Sequence, residues 1–143
     1  MRALLLIAAG TLLSAGMASP TAMSRAERAA AAAQLSPDGQ SFADGARLTG
    51  PAKTCVPLME IRNSQVLSDR VIDFGNGNRR KYRVVLPSAC PSLGFEQRFT
   101  YSTSLSQLCA QDIITVLYQT NGLQRGASCG LAPFQPIELP PRG

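Results

Sequence analysis

Four cysteines constrain the fold of this chain more than any other feature: Cys55, Cys90, Cys109 and Cys129. An even number of cysteines without a CxxC pair is typical of a disulfide framework in an oxidising compartment. A structural zinc site or a redox-active thiol pair would use closely spaced cysteines, so the spacing disfavours both. We therefore expect a small folded domain that is cross-linked by two disulfides, and we predict no metal and no cofactor.

The pairing of the cysteines is not determined by their number, because four cysteines permit three pairings. We favour Cys90 with Cys109 and Cys55 with Cys129. The first pair would close a loop with 18 intervening residues, and the second would join the opening strand of the domain to its closing strand. In the chain-entropy model each disulfide stabilises by about 3–4 kcal/mol.

The N-terminal residues 1–18, MRALLLIAAGTLLSAGMA, have the pattern of a secretory signal peptide. Arg2 precedes an apolar run over residues 3–13, and the small residues Gly16 and Ala18 precede the expected cleavage site. The apolar run is shorter than the roughly 20 residues of a membrane-spanning helix. The prediction is a periplasmic or secreted protein with no transmembrane segment after cleavage, and the alternative is an uncleaved N-terminal anchor.

Residues 19–52 are predicted to be an Ala-rich helical spacer followed by a flexible linker. Ser24 and Glu27 have the spacing of a helix capping box, and the alanines that follow favour a helix. The helix has no broad apolar face, and the next segment is rich in Gly, Pro, Asp and Ser, which is typical of loops. The folded domain is therefore expected over residues 53–139, with a short tail at 140–143.

A β-hairpin is predicted over residues 70–87. Its turn is the NGN at residues 76–78, since Gly and, to a lesser degree, Asn tolerate positive φ. Side chains alternate along a strand, so apolar residues should share one face and basic residues the other. The apolar face would comprise Ile72 and Phe74 in the first strand and Tyr82, Val84 and Leu86 in the second.

The rest of the domain has further short strand signals. Phe99 and Tyr101 would share one face of a strand, and the apolar run DIITVLYQ over residues 112–119 is the best candidate for a central strand. A helical turn is predicted at SLSQLCAQD, where Leu105 and Leu108 are three residues apart. Five to six short strands with one helical turn favour an all-β fold, either a small antiparallel barrel or a sandwich.

A run of basic residues in the hairpin is the main candidate for ligand binding: Arg79, Arg80, Lys81 and Arg83. Arg79, Lys81 and Arg83 would share a face that could contact phosphates, lipid headgroups or another anionic polymer. Nucleic acid is disfavoured as a partner, because Tyr82 should point to the opposite face and could not stack on bases there. The alternative is a solvated hairpin whose charges prevent edge-to-edge aggregation. Asp73 could pair across the hairpin with Arg79 or Lys81.

The chain contains no histidine, which excludes Ser-His-Asp and Cys-His catalysis. A pair of carboxylates for glycoside hydrolysis is arranged in space rather than in sequence, so the acids alone do not decide that question. Asp112 is expected to accept hydrogen bonds from backbone N–H groups in its turn. The acids of the domain are Glu60, Asp69, Asp73, Glu96, Asp112 and Glu138.

Three segments that contain cysteines, LPSACPSLGFEQRFTY, LCAQDIITVL and RGASCGLAPFQP, are also informative together. In this order they resemble an uncharacterised family of short exported proteobacterial proteins, found especially in sphingomonad-type genomes, with a domain of unknown function. The resemblance covers about Cys55 to Pro136. It implies export and a four-cysteine framework, and it implies no activity, cofactor or catalytic residue.

The expected function is that of a non-catalytic binding or cell-envelope accessory module. Its partner would be an anionic envelope component or a protein. One alternative is an inhibitor of a secreted hydrolase, with an exposed loop at residues 91–97 entering a cleft. This alternative rests only on an analogy between folds. A less favoured alternative is a hydrolase that uses two carboxylates.

Overall fold

The computed structural model describes residues 22–142, so the predicted signal peptide lies outside the described residues. The helical elements are α1 (Arg25–Ala32), a 3-10 turn (Leu58–Glu60) and α2 (Leu93–Glu96). The strands are β1 (Arg47–Leu48), β2 (Cys55–Pro57), β3 (Asn63–Val66), β4 (Val71–Gly75), β5 (Arg80–Val85), β6 (Phe99–Tyr101), β7 (Gln107–Cys109), β8 (Ile113–Gln119), β9 (Leu123–Gly130) and β10 (Gln135–Glu138). Within residues 22–142, no helix is both long and apolar enough to cross a membrane.

The strands form three antiparallel sheets. Their strand orders are β1-β10-β5-β4-β3, β2-β7 and β6-β8-β9. The all-β class is therefore confirmed, and β8 is the central strand of its sheet, as predicted. Residues 22–142 contain ten strands rather than five or six. The sheets do not close on themselves, so the barrel alternative is wrong and the sandwich describes the fold.

The main core lies between the five-stranded and three-stranded sheets. The predicted apolar face of the hairpin is confirmed, since Ile72, Phe74 and Val84 are buried in this core. The Phe74 ring meets the Phe99 ring of the opposite sheet edge-on, with centroids 5.9 Å apart. Alternation along β4 and β5 thus supplies one side of the sandwich.

The helical turn occurs at a different place from the prediction. Leu108 belongs to β7, which pairs with β2 and buries Leu108 opposite Val56. The helical turn is α2, within the segment that the sequence predicts to be a loop. Pairing with a distant strand outweighs the weak helical spacing of Leu105 and Leu108, since local propensity is easily overridden by tertiary contacts.

The disulfides join Cys55 to Cys109 and Cys90 to Cys129, and no cysteine among the described residues is free. The two-disulfide framework is confirmed, but the predicted pairing is wrong. Strand register explains the difference, because β2 and β7 place Cys55 directly opposite Cys109. Two disulfides in one small domain indicate an oxidising environment.

The segment before residue 53 packs on the domain, which corrects the predicted flexible linker. The capping box of Ser24 and Glu27 is present, as predicted. Beyond it, Ala32, Phe42 and Ala46 are buried, and β1 extends the five-stranded sheet by pairing with β10. The second face of that sheet is therefore covered as well as the first.

The position of Gly126 in β9 yields a stability prediction. A Cβ atom added there would lie 2.0 Å from a ring carbon of Tyr118, beside a break in the β8–β9 register. We expect Gly126→Ala to lower the free energy of unfolding by about 1–3 kcal/mol because the ring must move. Gly130→Ala in the same strand is the control, since its Cβ would meet nothing within 4 Å. Equal urea midpoints for the two variants would contradict this account.

Candidate anion-binding site

Arg83 is fully buried and holds two carboxylates. Its Nε and Nη2 donate to the two oxygens of Asp73, each at 2.8 Å, across the β4–β5 pair. Its Nη1 donates to Asp44 at 2.9 Å and to the carbonyl oxygen of Ala32 at 3.4 Å. The guanidinium lies 4.8 Å from the centre of the Phe42 ring. These contacts fasten the N-terminal segment to the sheet.

Burial on its own would lower the pKa of Arg83, but the hydrogen bonds and charges of Asp73 and Asp44 raise it overall. The side chain therefore stays positively charged and engaged with these carboxylates. The prediction that Arg83 lies on an exposed face of the hairpin is wrong, because the side chain is fully buried and packs against Phe42 of the N-terminal segment. The cross-hairpin partner of Asp73 is Arg83, rather than Arg79 or Lys81.

A cavity of about 910 Å³ lies beside this buried cluster, between α1, β3 and the chain that follows β10. Its basic lining comprises Arg25, Arg28, Arg79, Arg83 and Arg142. The uncharged polar lining comprises Ser64, Gln65, Asn78 and Gln97, and the apolar lining comprises Ala29, Val66, Leu67, Leu139 and Pro140. Asp44 is the acidic residue of the lining.

The lining of the cavity carries an excess of positive charge. Arg79 pairs with Glu138 at 3.0 Å, and both side chains are exposed. Within residues 22–142, no carboxylate lies within 4.0 Å of the charged nitrogens of Arg25, Arg28 or Arg142. Five arginines and one aspartate give the lining a formal charge of +4. It falls to +2 when Asp73 and Glu138, which pair with lining arginines, are included.

The four basic residues of the predicted anion contact lie at two separate cavities in the structure. Arg79 and Arg83 border the large cavity, whereas Arg80 and Lys81 border a separate concavity of about 350 Å³. Arg80 is exposed and Lys81 is partly buried. The four residues therefore do not form one binding surface.

Tyr82 lines the smaller concavity and links two charged side chains. The Lys53 ammonium donates to the Tyr82 hydroxyl at 3.2 Å, and that hydroxyl donates to Glu60. The hydrogen bond and charge interaction with Tyr82 raise the pKa of Lys53. These hydrogen bonds join Glu60 of the 3-10 turn to Tyr82 of β5, so the cluster holds the turn against that strand.

Five of the six acids of the domain have partners within the fold. Asp112 accepts a hydrogen bond from the backbone N–H of Cys109 at 2.7 Å, as predicted for its turn. Asp69 accepts one from the backbone N–H of Gly94 at 2.6 Å. Asp73 and Glu138 pair with arginines, and Glu60 accepts from Tyr82. Each of these five carboxylates therefore has a structural role, as a hydrogen-bond acceptor or as a partner in an ion pair.

Sequence reasoning missed Arg25, Arg28, Asp44 and Arg142 as lining residues of the cavity. One signal was present, because Arg25 and Arg28 are three residues apart on a capped helix and so share a face. Arg142 lies in the predicted tail, and only the path of the chain after β10 brings it to the cavity.

Comparison of the chain with models of protein families, with curated proteins and with solved structures found no significant match. The resemblance to the exported four-cysteine family therefore stays a prediction.

Proposed function

We propose that this protein is a non-catalytic binding module of the periplasm or the extracellular space, and that the arginine-lined cavity binds an anionic ligand. An envelope component that carries phosphate groups is the ligand class that fits best. The observation that carries the proposal is the cavity itself, which is lined by Arg25, Arg28 and Arg142 without carboxylate partners among residues 22–142.

The size and lining of the cavity suit a small multivalent anion. A volume of about 910 Å³ is within the usual range for ligand sites, roughly 300–1,000 Å³. A guanidinium group can donate two parallel hydrogen bonds to the oxygens of one phosphate or carboxylate group. It also stays positively charged at every physiological pH, which suits it to binding anions. The apolar wall with Val66 and Leu139 can contact uncharged parts of the same ligand.

The arginines of α1 are presented from a fixed position. The capping box closes the start of the helix, and Ala31 and Ala32 are buried at its end. The bond from Arg83 to the Ala32 carbonyl oxygen ties the last turn to the sheet. A site that is arranged before binding loses less conformational entropy when the ligand arrives.

Removing the charge of the cavity tests this proposal. We expect the triple variant Arg25→Ser, Arg28→Ser, Arg142→Ser to bind inositol hexakisphosphate at least about 30-fold more weakly, because several charge-assisted hydrogen bonds are lost. Isothermal titration calorimetry at 0.15 M salt measures the affinity. The binding of the unaltered protein should weaken further as salt screens the exposed arginines.

The control is a second triple variant with the same change in net charge, Arg62→Ser, Arg80→Ser, Arg125→Ser. All three of these arginines are exposed and lie outside the cavity lining. We expect its affinity to stay within about threefold of the unaltered protein, since surface charges outside the site act only at a distance. Equal losses in the two variants would show general charge attraction, and an absence of binding by the unaltered protein would also refute the proposal.

A further inference from the structure

The N-terminal segment, residues 22–48, lies outside the disulfide framework. Both disulfides link cysteines between residues 55 and 129, so no cross-link holds this segment to the rest of the domain. Phe42 and Ala46 of the segment pack with Ile137 of β10 in a small cluster of their own. The buried members of the main core all come after residue 55. The segment therefore has a small core that is separate from the core of the domain.

Few contacts dock this segment on the five-stranded sheet. β1 pairs with β10 over two residues, Arg47 and Leu48. The carboxylate of Asp44 and the carbonyl oxygen of Ala32 accept hydrogen bonds from Arg83, as described above. A segment this short buries too little apolar surface to fold by itself. Its internal structure therefore depends on its being docked.

The arginine-lined cavity has one wall on the segment and its other walls on the domain. Arg25 and Arg28 of α1 belong to the segment. Arg79 and Arg142 belong to the domain and to the chain after β10. Positive charges on both parts repel one another, which opposes docking of the segment. A polyanion bound between them replaces this repulsion by attraction to both walls.

We propose that ligand binding and docking of the N-terminal segment are coupled, so that the bound polyanion holds residues 22–48 against the domain. Only the docked form presents arginines from both parts of the chain, so the ligand binds this form in preference and shifts the population toward it. The coupling is reciprocal, so contacts that dock the segment also raise the affinity for the ligand. This inference rests on the proposed function, because it concerns the regulation of the same cavity by the same class of ligand.

Release of the segment changes the surface of the domain in a specific way. β1 covers the outer side of β10, so its release makes β10 an edge strand with unpaired backbone groups. Ile137 of β10 is 1% exposed, and it loses its cover of Phe42 and Ala46. The anion therefore controls whether a strand edge and an apolar side chain are accessible.

Hydrogen exchange of the unaltered protein tests the coupling. The reporters are the amides of Phe42, Ala43 and Leu48, which donate to carbonyl oxygens within the segment at 2.7, 2.8 and 2.9 Å and do not line the cavity. Without ligand, they should exchange at least about 100-fold faster than the slowest amides of the central strands β4 and β8, because the segment opens while the domain stays folded. Inositol hexakisphosphate at about 100 times its Kd should slow the reporters about 100-fold, because it stabilises the docked form by mass action.

Calorimetry on the same sample separates this inference from the proposed function. If inositol hexakisphosphate binds and the reporter amides keep their exchange rates, the coupling is wrong and the anion-binding function stands. If the reporters are already as slow as the amides of β4 and β8 without ligand, the segment does not open separately, and the coupling is again wrong. An absence of binding would overturn both the coupling and the proposed function.

Phe42→Ala tests the reciprocal effect, because Phe42 docks the segment and does not line the cavity. We expect this variant to bind inositol hexakisphosphate at least about fivefold more weakly, since a smaller fraction of the molecules is docked. Leu108→Ala is the control, because it truncates a fully buried side chain of the main core that also lies outside the cavity lining. Its affinity should stay within about twofold of the unaltered protein, since distant sites act independently. With both variants shown to be folded by circular dichroism, equal affinities would contradict the coupling.

Discussion

Replacement of Arg83 by methionine is expected to lower the free energy of unfolding by about 3–5 kcal/mol. The variant removes the cation between Asp73 and Asp44, whose side chains are only 3% and 14% exposed. Two carboxylates would then remain in the interior without a compensating charge, and the N-terminal segment would lose its attachment through the Ala32 carbonyl oxygen. Urea denaturation followed by circular dichroism measures the change.

Two matched variants isolate this effect. Arg80→Met removes an exposed arginine from the same strand and should change stability by no more than about 0.5 kcal/mol. The triple variant Arg83→Met, Asp73→Leu, Asp44→Asn removes the whole charged cluster and should recover most of the loss, because apolar replacements of buried ion pairs are often neutral. If Arg83→Met were as stable as Arg80→Met, the buried cluster would not hold the N-terminal segment as described.

Removal of a disulfide is expected to have an effect of similar size. The Cys55–Cys109 bond spans 54 residues of sequence and the Cys90–Cys129 bond spans 39, so the chain-entropy model assigns about 4 kcal/mol to each. A domain of this size usually has a total stability of 5–15 kcal/mol. We therefore expect Cys90→Ala, Cys129→Ala to unfold at a much lower urea concentration, and reduction of both bonds to abolish cooperative folding at 37 °C.

Loss of the two disulfides should destabilise different parts of the fold. Cys90 is buried in the main core, whereas Cys55 and Cys109 join a ribbon of two three-residue strands. Cys55→Ala, Cys109→Ala should therefore increase hydrogen exchange first in β2 and β7. A non-reducing peptide map provides the direct check of the pairing. Peptides that link Cys90 to Cys109, or Cys55 to Cys129, would contradict the connectivity of the structure.

Local patterns in the sequence predicted the elements that depend on neighbouring residues. The hairpin around residues 76–78, its apolar face with Phe74 and Val84, and the capping box at Ser24 are all present. Each of these features depends on contacts within a few residues or on the alternation of side chains along a strand. The all-β class and the two-disulfide framework followed from the same kind of information.

Features that depend on distant residues were decided only by the tertiary structure. Alternation along β5 puts Arg83 and Val84 on different faces of the sheet, and it therefore predicted that Arg83 would face solvent. That prediction failed because residues 31–48 cover this face, which no pattern within the hairpin reveals. The cysteine partners follow from the register of β2 on β7. These two strands are distant in sequence, so the sequence alone does not reveal that register. The arginine-lined cavity combines α1 with the chain after β10, so it exists only once both ends of the described chain have packed against the same sheet.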